Sequence, residues 1–173
     1  MKIIAFGASS SKNSINKNVA IYAASLFEKA QVEVLDLNDF EMPLFSVDTE
    51  QQIGQHPLAQ SFLDSIASAD VLVVSLAEHN GNYAAAFKNI LDWCTRITPK
   101  VFHGKPMLLM AASPGGRGGA TVLEIATNAF ARFGAEIKET FLLPNYYSNF
   151  DGLKMQLSDP ELDTELKTKV QRF

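Results

Sequence analysis

Three stretches of this chain repeat one arrangement: a short apolar run, then at once a loop of small or polar residues, then a helical pattern. They are Ile3–Phe6 followed by Gly7-Ala8-Ser9-Ser10-Ser11-Lys12-Asn13-Ser14, Val71–Leu76 followed by Ala77-Glu78-His79-Asn80-Gly81-Asn82-Tyr83, and Met107–Ala112 followed by Ser113-Pro114-Gly115-Gly116-Arg117-Gly118-Gly119. A strand that must be followed by a helix before the next strand cannot pair by a tight hairpin. Such a chain is committed to a parallel sheet with crossover helices. In an open sheet of that kind the loops after the strands gather at one edge, which is where ligands bind.

Apolar runs and turn signals predict strands over 2–7, 32–36, 70–76, 106–112 and 136–143, and helices over 16–29, 57–67, 83–97, 119–132 and 162–172. Helical spacing is clear at Leu58, Phe62 and Ile66, at Phe87, Ile90, Leu91 and Cys94, and at Leu162, Leu166, Val170 and Phe173. The first, third and fourth strands are continuous apolar runs, which suit strands buried on both faces. The second, Val32-Glu33-Val34-Leu35-Asp36, tends to alternate, and the fifth, Glu136-Ile137-Lys138-Glu139-Thr140-Phe141, is charged in its first half, so both belong at edges. The expected fold is α/β, a three-layer αβα sandwich on a five-stranded parallel sheet of order 2-1-3-4-5, with residues 1–173 as a single domain.

Composition narrows the function. A net charge of −4 with no basic run argues against nucleic acid. The single cysteine, Cys94, cannot form an internal disulfide, and no run of 18 apolar residues suggests a membrane span. The expectation is a soluble, cytoplasmic protein. Three scattered histidines (His56, His79 and His103) and one cysteine provide no metal-ligand spacing, and no GxSxG elbow is present. A receiver domain shares this topology, but its acidic pair would follow the first strand, where this chain has Gly7-Ala8-Ser9.

The loops carry the remaining chemistry. The first holds four serines with Lys12 and Asn13 before Ile15-Asn16 opens a helix, and free amides at a helix start suit an anion. It is neither a Walker A loop nor a GxGxxG fingerprint. In the second loop His79 is either a general acid or a surface histidine, Glu78 either a base or a solvated or loop-pinning carboxylate, and Tyr83 either stacks on a ring or packs at the helix start. The third loop has four glycines in five residues around Arg117, which lets backbone approach a ligand closely. Arg117 meets either an anionic group of a second substrate or water. No nucleophile or acid–base pair stands out, which suits a protein whose cofactor carries the chemistry.

Taken together, Ser9–Asn16, then Glu78-His79-Asn80-Gly81-Asn82-Tyr83 with Phe87-Lys88-Asn89-Ile90-Leu91-Asp92-Trp93, then Ser113-Pro114-Gly115-Gly116, resemble the NAD(P)H-dependent FMN reductase family of flavodoxin-like proteins. The resemblance implies non-covalently bound FMN, NADPH or NADH as co-substrate, and transfer to a small acceptor: a quinone, a flavin, an azo compound or a metal oxyanion. It implies a homodimer or homotetramer. By position, Ser9, Ser11, Ser14, Ile15 and Asn16 would hold the FMN phosphate, Glu78, His79, Asn80, Gly81 and Tyr83 would line the isoalloxazine, and Ser113 and Gly116 would meet its pyrimidine edge. Arg117 is the candidate for the second substrate. Lys12 stands in a loop where many members have arginine, and Ala84-Ala85 where many have proline. A flavodoxin-type electron carrier docking on protein partners is the alternative.

Overall fold

The run Ile3–Ala8 lies between two parallel neighbours, pairing Ile3 with Val32 on one side and with Val71 on the other. From it the whole sheet can be traced in the computed structural model, which describes residues 1–173. The strands and helices run in the order β1 (Lys2–Ala8), α1 (Ile15–Ser25), β2 (Gln31–Leu35), a 3-10 turn (Leu37–Phe40), α2 (Val47–Ile53), α3 (Pro57–Ala67), β3 (Val71–Leu76), β4 (Glu78–His79), β5 (Asn82–Tyr83) and α4 (Ala85–Ile97). Then come β6 (Pro106–Ala112), α5 (Ala120–Phe130), β7 (Glu136–Leu143), α6 (Tyr146–Asn149), β8 (Phe150–Asp151), β9 (Gln156–Leu157) and α7 (Pro160–Val170).

The main sheet has the order β2-β1-β3-β6-β7, all parallel. This is the expected 2-1-3-4-5 with the strands renumbered. The central strands β1, β3 and β6 are buried almost throughout, and the first four residues of β2 are exposed. Two apolar layers cover the sheet. One joins alternate strand residues (Phe6, Leu72, Val74, Leu109) to α3, α4 and α5 through Phe62, Phe87, Trp93 and Phe130. The other joins Ile3, Val73, Leu108 and Met110 to α1 and α7 through Val19, Ala23, Leu166 and Val170. The period-two split of each strand between two layers is what a doubly covered parallel sheet demands. Cys94 lies fully buried in the first layer, and burial pushes its thiol up to about 12.

Several elements were not legible in the residue pattern. The residue pattern predicts no helix between β2 and α3, yet Asp36 caps the 3-10 turn through Asn38 N–H and Ser46 caps α2 through Thr49 N–H. No α2 residue is buried, so no apolar period marks it. The expected helix over 16–29 stops at Ser25, and that over 83–97 starts at Ala85 because Asn82 and Tyr83 are taken by a ribbon. The last helix starts two residues earlier than expected, since Asp159 accepts from Glu161 and Leu162 N–H and Pro160 occupies the first turn.

Candidate active site

The carboxyl ends of β1, β3 and β6 bring the three loops to one cleft. Helix α1 begins where Ser14 caps it, its Oγ accepting from Lys17 N–H at 3.1 Å. The helix starts directly against β1: a Cβ on Gly7 would lie 2.2 Å from the Lys17 nitrogen, so only glycine admits this approach. Within the loop, Ser9 N–H donates to the Gly7 carbonyl at 2.8 Å and Ser11 N–H to Ser9 Oγ at 3.1 Å. The amides of Ser10, Lys12, Asn13, Ser14, Ile15 and Asn16 make no hydrogen bond within the chain. Amides in this position, on the positive end of the helix dipole, suit an anion. Lys17 does not add its charge there, because its Nζ is 2.6 Å from Asp36 Oδ2.

The side chain of Asn16 has a structural part. It is buried, donating from Nδ2 to the Ala112 carbonyl at 3.1 Å, while Oδ1 accepts from Ala112 N–H at 2.9 Å and from Ser75 Oγ at 2.7 Å. Both lone pairs of Oδ1 and one Nδ2 proton are used. Only its backbone amide is left for a ligand; the side chain instead holds α1 to β3 and β6.

The second loop is a tight hairpin rather than an open loop. β4 and β5 pair antiparallel across Asn80-Gly81, with φ of 52° and 73°. Two consecutive left-handed residues of Asn-Gly type form the hairpin turn that sequence rules favour. Glu78 pins this hairpin: its Oε2 accepts from Val122 N–H at 3.0 Å, in the first turn of α5, where Gly119 offers no capping side chain. His79 is exposed and lines the cleft. Tyr83 is a correction. Its ring packs away from the cleft, stacked on Phe130 at 5.9 Å and 22° and edge-on to Phe87 at 5.8 Å. Its hydroxyl is buried with no partner, and burial pushes it up to about 12.

In the third loop the two kinds of glycine separate. Gly118 and Gly119 have φ of 62° and 83°, and a Cβ on Gly119 would lie 2.9 Å from that of Ala111; these glycines seat α5 on β6. Gly116 has no positive φ, and a Cβ there would find only Asn145 Oδ1 at 3.7 Å, so this position does not require glycine. Arg117 is exposed and donates to Thr121 Oγ1 on α5.

The resulting cavity, of about 310 Å³, is lined from the first loop by Ser9, Ser11, Asn13, Ser14, Ile15 and Asn16, from the second by Ala77, Glu78 and His79, and from the third by Ala112, Ser113 and Pro114. Of the expected residues, Asn80, Gly81, Tyr83, Gly116 and Arg117 stand outside this wall: the first two form the hairpin tip, Tyr83 packs half-buried against the core, and the last two are on the exposed crest of the third loop. One lining residue was missed altogether. Tyr147, on the turn after β7, completes the wall and is 75% exposed. The signal was available, since every strand of a parallel sheet delivers its following loop to the same edge, and an adjacent tyrosine pair follows the fifth. A separate cavity of about 440 Å³ lies on the far side of Ser10, between Leu37, Phe40, Met42 and Leu44 and the start of α4.

A parallel sheet of this order with an amide-lined cleft at its carboxyl edge is the flavodoxin-like, mononucleotide-binding class. The family model described as NADPH-dependent FMN reductase matches residues 1–148, and the chain belongs to that family. It is 30% identical over 149 residues to an uncharacterised protein of Mycoplasma pneumoniae, covering 82% of this chain and 86% of that one. It is 29% identical over 125 residues to the quinone reductase of Escherichia coli, which covers 69% of this chain and 64% of the enzyme's length. Among solved structures, the flavoenzyme NAD(P)H:acceptor oxidoreductase of Paracoccus denitrificans superposes with a TM-score of 0.76 at 21% identity, over 99% of this chain and 93% of that one.

Proposed function

We propose that the cleft binds FMN and that the protein is an NAD(P)H-dependent reductase passing electrons to a small acceptor, a quinone or a related compound. The observation that carries this reading is the set of unpartnered amides of Asn13, Ser14, Ile15 and Asn16, set at the start of α1 inside a cavity that all three loops share. The donors fit a phosphate dianion: the hydroxyls of Ser9, Ser11 and Ser14 and the amides of Ile15 and Asn16 converge without a competing carboxylate in the first loop. In this reading the backbone of the hairpin, Glu78 to Gly81, and of Ser113 to Gly116 bounds a planar ring. A Cβ at Gly115 would meet nothing within 4 Å, so the crest of the third loop leaves room for a close neighbour.

When bound, FMN supplies the redox chemistry, taking up a hydride from NAD(P)H and delivering electrons to the acceptor. The chain's own contribution is placement. Asn16 fixes the first loop against β6, Glu78 fixes the hairpin on α5, and both act before any ligand arrives. No side chain in the cleft is arranged as a proton-transfer pair. Arg117, on the crest beside the cleft, is the candidate contact for the nicotinamide nucleotide or acceptor. Assembly as a homodimer or homotetramer belongs to the same reading and is supported by exposed apolar side chains at Leu44, Val47 and Ile53. So does a cytoplasmic setting, where NAD(P)H is supplied.

The test is the visible absorption of the purified protein loaded with FMN, before and after NADPH or NADH, followed by addition of a quinone. Bleaching of the flavin bands and their return on quinone addition are expected. Tight FMN binding without bleaching by either nucleotide would point instead to an electron carrier.

A further inference from the structure

We infer that Tyr147 is a phosphate ligand of the cleft: its phenol O–H donates to the FMN phosphate, opposite the amides of the first loop. The inference rests on the FMN reading above and concerns a residue outside the three loops.

The turn that carries Tyr147 is held on both sides of the cleft. Tyr146 N–H donates to the Ser113 carbonyl at 3.1 Å and Asn145 N–H to the Gly115 carbonyl at 3.0 Å, so the turn is bonded to the third loop. Tyr146 itself is buried and stacked on Phe150 at 5.0 Å, and its hydroxyl accepts from Asn18 Nδ2 at 3.0 Å. Asn18 follows the Ser14 cap by one turn of α1, so the same segment is tied to the helix whose start forms the anion site. Asn149 Nδ2 closes the turn onto the Pro144 carbonyl at 2.9 Å.

On this fixed turn the Tyr147 side chain is 75% exposed, its ring lies edge-on to Tyr146 at 5.3 Å, and its hydroxyl makes no hydrogen bond in the chain. A large aromatic held in water on a rigid turn gains by covering a ligand. It shares the cavity with Ser11, Ser14 and Ser113.

The electrostatics at that end give the phenol a task. Lys17 is engaged by Asp36 at 2.6 Å, and Lys12, though exposed in the same loop, does not line the cavity. The anion site therefore consists of neutral donors. A phenol O–H is a good addition to such a set, since bonds from neutral donors to phosphate oxygens are charge-assisted. Being neutral, it adds no cation that would have to be desolvated beside Lys12.

The test compares FMN with riboflavin, which lacks the phosphate, by calorimetric titration of the flavin-free wild-type protein, Tyr147→Phe and Tyr147→Ala. The phenylalanine variant should lose about tenfold in FMN affinity, the effect of one hydrogen bond to a charged group, and keep its riboflavin affinity. The alanine variant should lose at least as much for FMN. An unchanged FMN-to-riboflavin ratio in Tyr147→Phe overturns the assignment. So does an equal loss for both flavins confined to Tyr147→Ala, which would mean that the ring packs but the hydroxyl does not touch phosphate. A wild-type protein that binds neither flavin would overturn the FMN reading as well, whereas normal wild-type FMN binding with an unaffected Tyr147→Phe overturns the role of Tyr147 alone.

Discussion

Asn16 and Ala112 are joined by a reciprocal pair of hydrogen bonds, Nδ2 to carbonyl at 3.1 Å and N–H to Oδ1 at 2.9 Å, between residues 96 apart in sequence. The amide side chain thus takes the place that a further strand residue would occupy beside the last residue of β6. Replacing it by alanine leaves the Ala112 N–H and C=O and the Ser75 hydroxyl without their partner. We expect Asn16→Ala to lose about 2–4 kcal/mol of stability in urea unfolding, since each buried polar group left unpaired costs about 1–3 kcal/mol. Asn16→Asp should be no better, because one carboxylate oxygen would face the Ala112 carbonyl. Stability of either variant within about 0.5 kcal/mol of wild type would show that this tie is unimportant.

Ser14 separates helix capping from anion binding. Asp is as good an N-cap as Ser, so Ser14→Asp should fold with wild-type stability to within about 0.5 kcal/mol. The added negative charge lies where a phosphate would sit, and FMN affinity should fall at least about tenfold while riboflavin affinity holds. Ser14→Ala should do the reverse in stability, losing about 1 kcal/mol of helix capping. Fluorescence titration and urea midpoints measure the two effects. FMN binding by Ser14→Asp at wild-type strength would place the phosphate elsewhere.

Tyr83→Phe removes a hydroxyl that is buried without a partner and leaves the ring stacked on Phe130. The variant should be as stable as wild type or more stable, by up to about 1 kcal/mol, and bind FMN equally well. A clear loss of FMN affinity would return Tyr83 to the cleft wall.

The Lys17–Asp36 pair makes stability depend on acid pH. The hydrogen bond from Lys17, aided by the Asn38 N–H, holds the Asp36 carboxyl below its usual range. A carboxyl held low in the folded state stabilises fully above its unfolded value, near pH 4, and the contribution disappears as pH falls through the lower folded value. The pair is partly exposed, so about 0.5 kcal/mol is expected. Asp36→Asn should therefore be slightly less stable than wild type at pH 7, with the gap closing on acidification below pH about 4. A gap that stays constant between neutral and acid pH would mean that ionisation of Asp36 is irrelevant.

The sheet order was legible because continuous apolar runs mark β1, β3 and β6, and charge marks β2 and β7 as edges. The start of α1 was legible as well, since Ser14 followed by a helical run is a capping signal. What local pattern could not show is which way a side chain turns when two surfaces compete for it. Tyr83 leaves the rim for Phe87 and Phe130, which lie 4 and 47 residues further on. Asn16, polar and near a loop, resembles a ligand residue until the β6 backbone is placed beside it. Gly116 and Gly119 look alike in a glycine-rich run; only the approach of Ala111 distinguishes the one that must be glycine.

The buried position of Cys94 bears on the company such a protein keeps. Quinones are electrophiles that add to thiolates, and a reductase working among them exposes its own nucleophiles to arylation at every encounter. Here the chain's one sulfur nucleophile is enclosed behind α3 and α4, its S–H directed to the Ala59 carbonyl at 3.6 Å, and at neutral pH it remains almost wholly protonated. The fold thereby removes its most readily alkylated atom from reach, and inactivation by reactive quinones would have to proceed through slower nucleophiles such as surface lysines.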